Sequence, residues 1–140
     1  MVRFNMVKIT TKQFAIVSEP KGEQSSIGIE WGFNVNYSMG MHRIGITPTL
    51  TLLDEQNQKL LILSLFCEFE IHPDDWQAMI TGKKLIVPKN LIEYFISQTV
   101  GTMRGVLYCK TEDTPYSFFV LPSVNVAEIV QTDAEFVIEE

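Results

Sequence analysis

Few side chains in this sequence could do chemistry, and most of them stand in one short stretch, FCEFEIHPDDW, from Phe66 to Trp76. It holds Cys67, His72, Asp74 and Asp75, with Glu68 and Glu70 just before the histidine. A histidine beside carboxylates and a thiol is raw material for a metal centre or for a nucleophile with its base. Neither constellation closes. A metal needs three or four converging ligands, and the other histidine, His42, lies in a turn region near Gly40. Cys67 and His72 share one strand pattern at a spacing of five, which points them to opposite faces. The chain has no GxSxG, no phosphate-cradling glycine loop and no HExxH. No catalytic residue, metal ligand or cofactor is assigned, and the sequence does not read as an enzyme.

A plainer account covers the same residues. The apolar alternation runs to Ile71, and Pro73 stops the strand ladder. Asp74 stands three residues before Gln77, the spacing of a capping box ahead of a short helix through DDWQAMI. An aspartate there accepts from free backbone N–H groups and favours the positive end of the helix dipole.

The elements that hold this stretch follow from hydrophobic period. Ile27, Ile29, Trp31, Phe33, Val35, Tyr37 and Met39 alternate with small or polar residues, a period of two that predicts a strand with one buried face. The phase slips around GMHR (Gly40 to Arg43), which predicts a turn or bulge at Gly40, and Ile44, Ile46, Leu50 and Leu52 resume at even positions. Pro48 within this run implies an edge position or a bulge. The polar Asp54–Gln58 predicts a hairpin turn. Beyond it, Leu61, Leu63, Leu65, Cys67, Phe69 and Ile71 share one face, and Ser64, Phe66, Glu68 and Glu70 the other. A looser β-rich run, Ile9 to Glu19, closed by PKGEQ, supplies a first strand. The period then becomes helical: Leu91, Ile92, Phe95, Ile96, Thr99, Met103, Val106 and Leu107, with Pro88 suited to the first turn. Gly101 and Gly105 imply either a close backbone neighbour or a frayed helix end. A polar loop, KTEDTPY, and the apolar SFFVLPSVNVAEIV complete the pattern. Strands first and helices after predict an α+β fold: a four-stranded antiparallel sheet with a long helix and a shorter C-terminal helix on one face.

The chain has 140 residues, enough for one domain (1–140) with its own core. A formal charge of −6 disfavours nucleic acid and anionic membranes as partners. Cys67 and Cys109 have no metal-ligand spacing; they read as structural thiols of a reducing compartment, with a single disulfide as the alternative. The N-terminal MVRFNMVKITTK has no apolar core of a signal peptide, and no run reaches the ~18 residues of a membrane span. The expectation is a cytoplasmic protein that is not integral to the membrane.

A binding surface is then the place to look. Phe66, Glu68 and Glu70 should share the outer face of the sheet, where a phenylalanine beside two carboxylates suits a basic, partly apolar segment. A merely solvated face is the competing reading. Trp31, Phe33 and Tyr37 read as core. Phe118 and Phe119 are adjacent, so in an extended segment one of them faces outward, with Tyr116 just before them.

Three stretches together resemble the SecB protein-export chaperones. LFCEFEI resembles the family's fourth strand, VPKNLIEYFISQTVGTMRG its long helix, and LPSVNVAEIV the segment after it; the likeness runs over residues 7 to 130. The chain departs in its insert VLYCKTEDTPYSFFV (106–120), and in Val126 after Asn125 where an aromatic is usual. The resemblance implies ATP-independent holding of unfolded precursor polypeptides for export, in grooves between sheet and helix, by a homo-oligomer built as a dimer of dimers. It implies that Phe66 and Glu68 sit on a docking face for the basic tail of the translocation motor, the partner-docking face that Glu70 shares by alternation. It also implies that Cys67 and Phe69 pack under the helix or at a subunit contact. Trp76, Tyr116, Phe118 and Phe119 are the candidate client-contact aromatics. Two other roles remain open: a dedicated chaperone of one unstable partner such as an antitoxin, and a SecB-shaped binding module of unrelated role.

Overall fold

The computed structural model describes residues 1–20 and 22–138; Lys21, within the PKGEQ turn, and residues 139 and 140 lie outside the described residues. Four long strands form an antiparallel sheet: β1 (Phe4–Ile16), β2 (Gly28–Ser38), β3 (Arg43–Leu53) and β4 (Lys59–Ile71), in the order β1-β4-β3-β2. The short helix α1 (Pro73–Ala78) follows, and then the hairpin strands β5 (Ile80–Thr81) and β6 (Lys84–Val87). The long helix α2 (Lys89–Thr111) crosses one sheet face, and the chain closes with a single helical turn, α3 (Val126–Ile129), and β7 (Ala134–Val137). The α+β class and the four-stranded sheet are as the period predicts.

The core lies between that sheet face and α2. Ile44, Ile46, Leu50 and Leu52 from β3 meet Leu61, Leu63, Cys67 and Phe69 from β4, all buried. Phe95 of α2 stacks on Phe69 with ring centroids 4.2 Å apart, and Phe4 meets Phe95 edge-on at 4.9 Å. Aromatic pairs at such distances add to the burial of their area.

Several local readings change. β1 starts at Phe4 rather than Ile9, and its register shifts between Met6 and Lys8 and again between Thr11 and Gln13. Two such irregularities re-aim the side chains that follow, which is why its alternation looks loose. β3 is a central strand, so Pro48 marks neither an edge nor a register shift. The proline is accommodated in a gap of the β3–β4 ladder, whose pairs pass from Ile46–Cys67 to Thr49–Ser64 in unchanged register. The turn expected at Gly40 forms between β2 and β3, and its left-handed residue is His42 (φ 54°). The Asp54–Gln58 hairpin turn forms as expected: the Asp54 carboxylate accepts from the N–H of Gln56 and of Gln58, both at 2.9 Å.

α2 extends to Thr111, so the first part of the 106–120 insert is helix. Gly101 and Gly105 face open space within a continuous helix, neither frayed nor against another backbone of this chain. The rest of the insert folds back into the core. Tyr116 is buried and donates its hydroxyl to the Ser18 carbonyl at 2.7 Å, and Phe119 is buried beside it in sequence. The Arg104 guanidinium fixes the exit of this loop, its Nε donating to the Leu121 carbonyl at 2.7 Å.

Candidate functional site

The His-Pro-Asp-Asp stretch caps and ties. The N-cap of α1 is His72, not Asp74: Pro73 occupies the first helical position, and the His72 Nδ1 accepts from the Asp74 N–H at 3.2 Å. Asp75 reaches back across the chain. Its Oδ2 accepts from both the backbone N and the Nε of Arg3, each at 2.9 Å. The Arg3 hydrogen bonds hold the Asp75 carboxyl below the ordinary carboxylate range. The His72 N–H donates to the Arg3 carbonyl at 2.9 Å. Among the described residues no group of three or more His, Cys, Asp and Glu converges as a metal site.

This tie frames a groove. Met1–Asn5 and Val7 form one wall, and His72, Pro88, Leu91 and Tyr94 line the other side of a space of about 970 Å³. The groove is mainly apolar, and the ring of Tyr94, 5.3 Å from that of Phe4, is half-exposed at its rim.

A second groove of about 530 Å³ runs between β2 and α2. Trp31, Phe33 and Val35 line one side, Ile92 and Ile96 the other, and Ile129–Ala134 close its end. Trp31 and Phe33 stack at 5.1 Å with their rings 16° from parallel, and both are only partly buried. The sequence assigns these aromatics to the core because their period is that of a buried face. β2 is an edge strand, however, and α2 covers it incompletely. Asp133 locks the closing segment in place by accepting from the N–H of Lys89 at 2.7 Å, capping the start of α2.

On the opposite sheet face, Phe66 and Glu68 are half-buried and Glu70 is exposed. Arg43, placed by sequence in the GMHR turn and not in any site, lies among them. Its Nη1 donates to Glu68 Oε1 at 3.4 Å, and its Nη2 lies 3.7 Å from Glu70 Oε2. Lys8 stands opposite Glu68 in the β1–β4 ladder, and the Lys12 ammonium lies 5.8 Å from the Phe66 ring centroid. Three cations therefore face two carboxylates, and the field around Phe66 is not acidic. Alternation alone puts Arg43, out of phase with Ile44 and Ile46, on this outer face, but a hairpin centred on the Asp54–Gln58 turn would pair it with Phe69; the register shift between Leu52 and Leu53 brings it opposite Glu70.

Of the four candidate client-contact aromatics, Trp76, Tyr116 and Phe119 are buried in the chain's own core, and Phe118 is 41% exposed. Cys67 and Phe69 are buried under α2, where burial pushes the Cys67 thiol above its usual pKa.

A twisted four-stranded sheet, one long helix laid across it and grooves along the helix define a SecB-like fold. No protein-family model matches the chain, and no curated protein sequence does. Among solved structures it matches the SecB-like chaperone Rv1957 of Mycobacterium tuberculosis, in complex with a ChAD peptide from the Rv1956 HigA1 antitoxin. The match has a TM-score of 0.50 at 14% identity and covers 89% of this chain and 90% of that one. No helix among the described residues is long and apolar enough to cross a membrane.

Proposed function

We propose that this chain is an ATP-independent holding chaperone whose grooves take extended apolar segments of other proteins. The observation that carries this reading is the half-open aromatic row of β2. Trp31 and Phe33, stacked on one another and only partly buried, line a groove beside the edge strand β2. Such a surface suits an extended chain, because aromatic faces bind apolar side chains without demanding one sequence, and an unpaired strand edge offers backbone hydrogen bonds. The peptide-bound state of the M. tuberculosis protein of the same fold supports the choice of a polypeptide ligand.

Between the two chaperone roles, the Arg43–Glu68–Glu70 cluster favours a dedicated partner, such as an antitoxin, over export. A carboxylate pair already held by a guanidinium offers little attraction to the basic tail of a translocation motor. Export, with docking through Phe66, Glu68 and Glu70, is the second reading, and the partial exposure of Phe66 is what favours it. Assembly as a dimer of dimers and a cytoplasmic location belong to the same proposal.

The test is light scattering from a refolding, aggregation-prone protein without ATP, at stoichiometric amounts of this chain. Suppression that is lost in a Trp31→Ser, Phe33→Ser variant supports the reading. Failure to suppress with several unrelated proteins and with a cognate antitoxin would overturn it.

A further inference from the structure

β7 is an extended segment with an aromatic residue at its centre, and it lies along the same row of β2 side chains that lines the second groove. Ala134, Phe136 and Ile138 are turned inward, while Glu135 and Val137 are exposed. The ring of Phe136 packs on Tyr37 with centroids 4.8 Å apart, and the Tyr37 hydroxyl donates to the Val137 carbonyl at 3.2 Å. Tyr37 continues the row of Trp31, Phe33 and Val35 on one face of β2. That row is therefore open at one end and covered by this chain's own strand at the other.

We infer that β7 is a resident occupant of the client groove, and that a client segment carrying apolar residues at alternate positions, with an aromatic at the centre, binds by displacing it. The inference rests on the groove reading proposed above and names its ligand class. β7 has the attributes of a displaceable strand. It is four residues long, and among the described residues it pairs with β6 and with no strand on its other edge. Its anchor, Asp133 on the Lys89 N–H, precedes the strand, so β7 can leave without disturbing the cap of α2. A tethered strand competes at high effective concentration, so it sets a threshold that weak apolar segments do not cross.

The probe is a fluorescein-labelled peptide with the sequence of Thr132–Ile138, TDAEFVI, measured by anisotropy against the full chain and its Phe136→Ser variant. Removing the Phe136 ring should raise peptide affinity at least about tenfold, since the resident segment loses its aromatic contact. A peptide with serine in place of phenylalanine should bind neither protein. Equal affinity for both proteins would show that clients add beside β7 and would overturn the inference. Should Phe136→Ser fail to fold by circular dichroism, Phe136→Leu carries the test. It keeps an apolar side chain on the resident strand, removes only its aromatic contact with Tyr37 and should raise affinity about threefold, with no change counting against displacement. The light-scattering assay on the same proteins separates the two proposals. Holding by the wild type with no gain in peptide binding sinks displacement alone, and tighter peptide binding without holding by either protein sinks the chaperone reading alone.

Discussion

The ring of Phe66 rests against the backbone of Gly45 on the neighbouring strand. A Cβ at Gly45 would run into the Cε1 and Cζ of that ring and into the Asn36 side chain. A residue that alternation assigns to the outer face is thus half-buried in a slot that only a glycine leaves open. Gly45→Ala should cost about 1–3 kcal/mol, because both strands are central and the backbone cannot retreat. Thermal melting should register a Tm lower by roughly 3–10 °C. An unchanged Tm would mean that the Phe66 ring swings out to solvent freely.

Arg43 decides the charge of that face. Arg43→Ala should lower stability by about 1 kcal/mol, as expected for a partly exposed ion pair. It should also free Glu68 and Glu70 from the guanidinium and leave two cations, Lys8 and Lys12, against these two carboxylates. A lysine-rich peptide should then bind the variant more tightly than the wild type, with the difference fading at high salt. Equal, strong binding to both proteins would restore motor docking as the better account of Phe66, Glu68 and Glu70.

Asp75 links pH to the N-terminal strand. Its carboxyl titrates below the ordinary range because Arg3 hydrogen bonds favour the ionised form. A depressed carboxylate pKa contributes stability above the unfolded value and loses it as pH falls through the folded one. Melting of the wild type and of Asp75→Asn should therefore differ at neutral pH and converge in acid. A difference that persists at low pH would assign the effect to packing.

The two thiols should behave unequally. Cys67 is buried and its thiol is pushed up by burial, whereas Cys109 is exposed on α2. A thiol reagent at mild alkaline pH should modify one cysteine in the folded chain and both in guanidinium. Rapid modification of both in the native state would show that the sheet–helix contact opens readily.

What could be read from sequence followed the strength of the local period. β2 and β4 carry unbroken alternation and α2 a sustained helical pattern, so each announces itself. β1 hid its first residues because two register irregularities scramble its faces. The sheet of β5, β6 and β7 went unread because strands of two and four residues hold too little period, although Gly82 (φ 63°) marks its hairpin turn. The candidate site was harder. Whether Trp31 is core or groove depends on how completely α2 covers an edge strand, which no pattern within β2 records. Tyr116 and Phe119 fold inward for a similar reason, since the Ser18 carbonyl that receives the Tyr116 hydroxyl is distant in sequence.

The order β1-β4-β3-β2 also has a kinetic consequence. β2, β3 and β4 form a meander whose hairpins close over short loops, whereas β1 must find β4 across most of the sheet's sequence, Phe4 beside Ile71. Such non-local pairing bears the largest loop-closure entropy, so β1 joins a preformed meander and forms late. Pairing made after the transition state mainly governs the rate of unfolding. By the same argument this wall of the 970 Å³ groove is an early part of the sheet to separate on unfolding, and the Arg3–Asp75 bonds tie it to α1.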